Sequence, residues 1–506
     1  MYMLIETNKN KIKIILTAFS CLFIFSTLIF FQYGVDDSFI TFRYAKNFVA
    51  HGIWNWNPRG NIVEEAYTNF LYAIIAIIPE YLKINTLLFF KLLGVASLLY
   101  LGVRLFYLIE NKIIYFASLT FLILNPYFYL HAYSGLETPL FIILIFELII
   151  SLTIKKSEQN EKIFYLILLL LPLTRPEGAL FSIVGFIIFW YQRKTVPSKL
   201  FFLIIMAIGF GYFILRYHYF GYLLPNTFYV KSSQGYDIHR VISYVFFNFL
   251  KYWSIIVIFF LIKDKSYRTL LAISFIINVF LYAGSDLQMN FADRFPFQTL
   301  APFYLTAFIF IKDRYKFFII SCLLAFLLGV IWDKNNLISY IKSYPKLRQA
   351  HGELGVALSK YKNENLSLMI GDAGLIPYFS EWYVYDFIGL ANGNVAHNGI
   401  SLEYLQKVNP DLIFLYSSSG VEKRVGFNNV IAQDVIEKYI SKSKSYTFVG
   451  AIKLDDDFFL LAFLKSDLKS FSKIKYSIKS IENKTLNFKI NAQKYILQHY
   501  ITYPGD

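Results

Sequence analysis

The strongest constraint on this chain is a series of uncharged apolar runs that recurs from near the N-terminus to residue 332. In hydrocarbon every backbone N–H and C=O must find a partner inside the protein, so such runs become helices. They are expected at 12–33, 86–108, 113–130, 136–154, 162–174, 177–192, 199–217, 241–262, 267–283, 297–311 and 315–332. Only 16% of the 506 residues are charged and 56% are hydrophobic, which excludes an ordinary soluble protein. The abundant Phe and Tyr suit lipid-facing surfaces and interfacial belts. A net charge of +15 would point to nucleic acid in a soluble chain. Here much of it falls in short loops between apolar runs, where the orientation rule accounts for it, and no nucleic-acid partner is expected. Cys21 and Cys322 both lie inside apolar runs and read as packing residues, not a disulfide framework or metal site. Lys9, Lys11 and Lys13 precede the first run as in a signal peptide. No small-residue cleavage site follows, so the run is expected to stay as an uncleaved span.

A parity argument sets the topology. Lys155-Lys156, Arg193-Lys194, Lys263-Asp264-Lys265, Lys312-Asp313-Arg314, Lys112 and the lysine-rich N-terminus should all face the cytoplasm. Crossings satisfy this only if the apolar run 67–83 does not cross. That run opens on polar Tyr67-Thr68-Asn69 and contains Pro79-Glu80, so it reads as an interfacial helix in the membrane plane. The expected architecture is an α-helical polytopic membrane protein of about eleven transmembrane helices, over residues 1–332. A C-terminal α/β extracytoplasmic domain follows at 333–506, with strands at Leu366–Ile370, Asp411–Tyr416, Tyr446–Ile452 and Phe458–Leu464 and helices at Asn335–Lys360 and Gln433–Ser443. The N-terminus is then cytoplasmic and the C-terminal domain outside.

The polar stretch Gly34–Asn69 follows the first run and carries the adjacent carboxylates Asp36 and Asp37. Ionisable groups at a bilayer boundary are costly and mark functional sites, although such a pair also marks where a helix leaves the membrane. Arg43 follows Asp36 by seven residues, which in a helix would put both on one face. Parity puts the other polar motifs on the same outer face: Ser134–Glu137, Thr174–Gly178, Tyr219–Arg240 and Gly284–Arg294. Two classes of function fit, group transfer from a lipid-linked donor or transport of lipid-linked sugars. A transporter places ionisable groups near the midplane among broken helices, and the middles of these runs are almost free of charge, which favours chemistry at the outer boundary.

Nucleotide sugars stay in the cytoplasm, so an outward-facing sugar transferase needs a donor already carried across, such as a polyprenyl-phosphate sugar. Asp36 or Asp37 would take the proton of an acceptor hydroxyl as its oxygen attacks the anomeric carbon, help on the order of 10²–10⁴-fold. Cations Arg43, Arg175, Arg294 and Lys231 would hold the donor phosphate. Acceptor or substrate contacts are assigned to Trp54, Glu65, Tyr67, Asn69, Glu137, Glu177 and Asn226. Plainer readings stand beside these. Arg175 pairs with Glu177 at a helix end, Arg294 anchors to lipid headgroups, and Glu137 complements a helix dipole. Trp54 and Trp56 are belt aromatics or a stacking platform, Glu64-Glu65 is a solvated loop pair, and His131 is a satisfied interface histidine. Gly371-Asp372-Ala373-Gly374 is a tight turn or a rim of the acceptor entrance. No cofactor or metal is assigned, with a divalent cation left open.

These residues resemble a known superfamily. Asp36–Ala45, Trp56-Asn57-Pro58 and Glu65–Asn69 are similar to the first outer loop of GT-C glycosyltransferases, notably the terminal β-(1→2)-arabinofuranosyltransferases of mycobacterial cell walls and their bacterial relatives. Ser134–Thr138, Leu173–Gly178, Leu224–Lys231, Arg294-Phe295, Gly371–Gly374 and Asp386–Leu390 follow in the same order. The resemblance implies a GT-C fold with an in-plane helix, a polyprenyl-phosphate-sugar donor, and catalysis by Asp36 or Asp37. It implies an inverting enzyme of the bacterial inner membrane whose partners are membrane lipids, the lipid donor and a glycan acceptor. Relatives often read Gly-Gly-Asp where this chain has Ala283-Gly284-Ser285-Asp286-Leu287. That departure bears on the substrate contacts of this loop, and the Lys/Phe/Ile/Asn-rich composition points away from arabinan. Surface polysaccharide, lipopolysaccharide or glycoprotein is the expected acceptor.

Overall fold

The computed structural model describes residues 17–60, 62–154, 161–232, 238–283, 285, 290–311, 315–425 and 431–486. Each of the eleven predicted runs contains a helix. The first is α1 (Thr17–Phe30). After the polar stretch and its helices α2 (Ser38–His51) and α3 (Phe70–Tyr81) come α4 (Thr86–Leu108), α5 (Lys112–Leu124), α6 (Pro126–Tyr133), α7 (Thr138–Thr153), α8 (Glu161–Thr174), α9 (Gly178–Arg193) and α10 (Lys199–Phe220). Then follow α11 (Asn226–Ser232), α12 (Ile238–Tyr252), α13 (Ser254–Leu261), α14 (Lys265–Ile276), which continues as a π-turn to Tyr282, α15 (Arg294–Phe310) and α16 (Tyr315–Trp332). The last part contains α17 (Lys334–Ser359), β1 (Ser367–Ile370), α18 (Leu375–Ser380), β2 (Tyr383–Asp386), α19 (Gly393–Asn398), α20 (Leu402–Val408), β3 (Leu412–Ser417), α21 (Ile431–Ser443), β4 (Tyr446–Asp455), β5 (Phe458–Lys465) and α22 (Phe471–Leu486).

Among the described residues α4, α10 and α16 are long and apolar enough to cross a membrane, and the bent pairs α5–α6 and α12–α13 raise the number to five. The other predicted spans are helical but short. The 14 residues of α8 cover about 21 Å, less than the ~30 Å of hydrocarbon. The α5–α6 bend of 55° has a local cause. Asn125 ends α5 in extended backbone, and its side chain accepts from the Tyr127 N–H to start α6, with Pro126 at the first helical position. The run 67–83 becomes α3, whose 12 residues span about 18 Å, like α8 shorter than the hydrocarbon thickness.

The chain divides into two compact units that do not follow chain order. One comprises Met1–Tyr33, Phe90–Phe210 and Gly235–Ile341, the other Gly34–Phe89, Gly211–Gln234 and Lys342–Asp506. The division expected at 332/333 runs into continuous helix soon afterwards, because α17 starts at Lys334. The first unit is helical. Helices α7 and α15 are buried on nearly every face, as all-round apolar helices in a bundle core should be. Gly94 lets α4 touch α6, since a Cβ there would lie 2.0 Å from the Ala132 carbonyl oxygen.

The second unit is built on a five-stranded sheet of order β2-β1-β3-β5-β4. β2, β1 and β3 run parallel, while β5 is antiparallel to β3 and β4. The four anticipated strands are present within a few residues. β2 was missed because four residues, Tyr383–Asp386, carry too little alternation to stand out. It is an edge strand, and the first polar loop covers it. Asn57 Oδ1 accepts from the Val384 N–H and Asn57 Nδ2 donates to the Val384 carbonyl, both at 3.0 Å, as a neighbouring strand would.

Arg43 is the main staple of this arrangement. It is 1% exposed, its Nε donates to the Trp56 carbonyl and its Nη2 to the Trp382 carbonyl, each at 2.7 Å, and the guanidinium lies over the Trp56 ring. Trp56 is completely buried, so it is core, neither belt nor sugar platform. Replacing Arg43 with Lys removes the planar fork and leaves a buried carbonyl unpaired. Arg43→Lys should lower unfolding stability by about 1–3 kcal/mol, read as a lower midpoint in detergent-solubilised protein.

Candidate functional site

Asp36 and Asp37 do not lie within α2 but just before it, so the helical spacing to Arg43 does not apply. Asp36 is gripped by the loop after β1. The Gly374 N–H donates to its Oδ2 at 3.0 Å and the Leu375 N–H to its Oδ1 at 2.8 Å. The His351 ring stands between two carboxylates, with Nδ1 3.4 Å from Asp36 and Nε2 3.3 Å from Asp372. Gly374 is obligatory here, because a Cβ would lie 2.1 Å from the Asp36 carbonyl oxygen and 2.3 Å from Oδ2. The Gly371–Gly374 turn is therefore the seat of Asp36. Tyr416 hydrogen-bonds Asp372 from β3. His351 was not singled out in the sequence, since a lone histidine in a polar helix carries no signal until the fold sets it between two acids.

Burial alone would lower the His351 pKa, but Asp372 and Asp36 outweigh it and raise it to about 10. The imidazolium is therefore the resident form at neutral pH, and it closes a carboxylate–imidazolium–carboxylate row. Asp37 occupies the N-cap position of α2, half-buried.

The other first-loop residues pack tightly. Arg43 gives Nε and Nη2 to backbone carbonyls, while its Nη1 is buried without a hydrogen-bond partner among the described residues. Glu65 is not a solvated charge: Arg216 Nε donates to its Oε1 at 2.7 Å and Nη2 to its Oε2 at 2.5 Å. Burial raises the Glu65 pKa and Arg216 draws it back. Arg216 lies within the apolar helix α10, which hid it. Glu64 accepts from the Gly393 N–H at 2.6 Å and from Asn226 Nδ2 at 3.0 Å, so Asn226 is a structural clasp. Tyr67 is buried and its hydroxyl accepts from Trp54 Nε1 at 2.9 Å, within a ring cluster that includes Tyr44 and Phe70. Asn69 Oδ1 accepts from Thr41 at 2.9 Å and tethers α3 to α2. Lys231 is half-buried near the end of α11. Asp386 accepts from the Ile388 and Ala391 N–H groups at 2.8 Å each, which makes that motif a loop cap.

The remaining expected residues meet in the helical unit. Glu137, fully buried, forms ion pairs with Arg175 Nη1 and with Arg294 Nη2, the latter at 2.6 Å. Arg175 Nε also pairs with Glu177, which accepts from Tyr282 and, at 3.0 Å, from Gln298 Nε2. The pairing of Arg175 with Glu177 is thus real but part of a four-residue network. Two arginines and two glutamates cancel in charge, as buried ions must. Arg294 Nε, Gln298 Oε1 and Thr138 Oγ1 are buried without a hydrogen-bond partner among the described residues. His131 is a satisfied histidine, its Nε2 3.0 Å from the Ala292 carbonyl oxygen. Asp286 and Leu287 lie outside the described residues. Among the described residues no cluster of three or more His, Cys, Asp or Glu residues suits a metal ion.

This architecture is a polytopic α-helical membrane protein with a C-terminal α/β domain, a fold shared with solved structures. Among solved structures the chain is similar to ArnT from Cupriavidus metallidurans bound to undecaprenyl phosphate, with a TM-score of 0.53 and 9% identity over 90% of this chain and 98% of that one. The apo form of the same protein gives 0.52 with the same identity and coverage. A family described as a domain of unknown function (DUF8728) matches residues 340–467. No curated protein matches the sequence. At such low identity the likeness is one of fold alone, and it does not test the resemblance to the arabinofuranosyltransferases.

The raised His351 pKa predicts a pH dependence. A protonated histidine stabilises the fold fully below its unfolded value near 6.5. That contribution is lost as pH rises towards about 10. Melting temperatures measured across this window should fall more steeply for the parent than for His351→Gln; identical slopes would remove the imidazolium from the account.

Proposed function

We propose that this protein is an inverting glycosyltransferase that moves a sugar from a polyprenyl-phosphate donor to a cell-envelope glycan on the outer side of the bacterial inner membrane. The observation that carries the reading is the fold shared over 90% of the chain with ArnT, one of whose structures holds undecaprenyl phosphate. The carboxylate pair at the end of the first apolar helix supports it.

The two carboxylates divide the work. Both Asp36 oxygens already accept backbone N–H groups, and His351 stands beside one of them, so this carboxylate seats the loop. We assign proton removal to Asp37. The acceptor oxygen forms a new bond to the anomeric carbon on the face opposite the phosphate. The old carbon–oxygen bond breaks, the polyprenyl phosphate leaves with the electron pair, and the hydroxyl proton passes to Asp37. Arg294 is the favoured phosphate partner, because its buried Nε keeps an unmet donor among the described residues. Arg175 holds Glu137 and Glu177 in place, and Lys231 remains a second cation for the donor.

One observation favours transport of lipid-linked sugars as a second reading. The α12–α13 pair bends by 68°, and next to the break Lys251 lies 2.7 Å from Asp293 and 2.5 Å from Asp333. Broken helices with ionisable groups are a transporter feature.

Purified protein given a polyprenyl-phosphate sugar and envelope glycan should release polyprenyl phosphate and extend the glycan. Asp37→Asn should lower turnover at least about 10²-fold with the donor KM little changed. Full activity of that variant would overturn the base assignment. Movement of lipid donor across liposomes with no glycan product would favour the transporter.

A further inference from the structure

A large cleft in the sheet-containing unit has no role in the account above. It encloses about 1130 Å³ and is walled by α17, α18 and α22. Pockets for drug-sized ligands are about 300–1,000 Å³, so this cleft is at least as roomy as a typical ligand site. Its position ties it to the carboxylate pair. Leu375, whose N–H holds Asp36 at 2.8 Å, is one of its lining residues, as is Phe39 in the first turn of α2.

The charge in the cleft is one-sided. Six cationic side chains line it against two carboxylates, Glu353 and Glu381. Glu381 is shared by Lys46 at 3.0 Å and Lys362 at 3.2 Å, and Glu353 lies 3.4 Å from Lys484. Lys360 and Lys473 are exposed and have no acidic partner among the described residues. The walls are also amphipathic. Phe39, Phe379 and Tyr476 present ring surface, with Tyr476 77% exposed on α22, while Ser359, Ser472 and Ser480 offer hydroxyls. Aromatic faces, hydroxyls and excess positive charge together suit a saccharide that carries carboxylate or phosphate groups.

We propose that this cleft binds the acceptor and that the acceptor is an anionic saccharide chain, held by Lys360 and Lys473 and stacked on Tyr476. This rests on the transferase reading for the word acceptor, but the binding itself does not.

The test therefore uses no donor. Full-length protein in nanodiscs of neutral lipid is titrated with oligogalacturonate and, separately, with a neutral malto-oligosaccharide of equal length. Oligogalacturonate should bind, and the neutral chain should bind at least roughly tenfold more weakly. Lys360→Glu with Lys473→Glu, and the milder Lys360→Gln with Lys473→Gln should the former unfold, should each weaken oligogalacturonate by roughly tenfold or more, as should added salt. Lys438→Glu with Lys442→Glu on α21 should leave it unchanged. Equal binding of the two saccharides, no binding of the anionic one, or undiminished binding by the Lys360/Lys473 variants would overturn the proposal. Loss of sugar transfer with intact oligogalacturonate binding would instead count against the transferase reading alone.

Discussion

The sheet-containing unit depends on one carboxylate. Asp36 accepts two backbone N–H groups from a turn 338 and 339 residues away and stands against a charged histidine. That contact seats the start of α2 on the loop after β1. Around it the first polar stretch becomes part of the C-terminal domain, with Asn57 covering β2 and Arg43 clamping the carbonyls of Trp56 and Trp382. A loop that would otherwise be free acquires a rigid frame.

Buried charge elsewhere obeys the same economy. Glu65 is matched by Arg216, and Glu137 and Glu177 by Arg175 and Arg294. An unpaired ion in such places would cost several kcal/mol, so each arginine that looks available in the sequence is largely committed in the fold. What remains for a ligand is the residue of that accounting, a few buried donors and acceptors without partners, such as Arg294 Nε. The cleft beside α22 is the opposite case, where lysines exceed acids and solvent bears the excess.

Much of this was legible in advance. Apolar runs, basic loops and the polar start of residues 67–83 were enough to anticipate the helical segments and to require that α3 not cross, because satisfaction of the backbone in hydrocarbon is a local demand. Four of five strands were readable from alternation and apolar runs. Side-chain roles were less legible. Arg43 and Trp56 looked like ligand-binding residues because a polar loop after a span invites that reading, yet both are core. His351 and Arg216 showed no signal, one in a polar helix and the other in an apolar one.

The sequence by itself determined where helices form and that this is a membrane protein, since those follow from short-range hydrogen bonding and from the length of uncharged runs. Only the tertiary structure decided which charges are paired, that Asp36 seats the loop after β1, and that the first loop belongs with the C-terminal sheet. Those outcomes depend on groups hundreds of residues apart coming within about 3 Å of each other, the range of a hydrogen bond, and no local pattern encodes that.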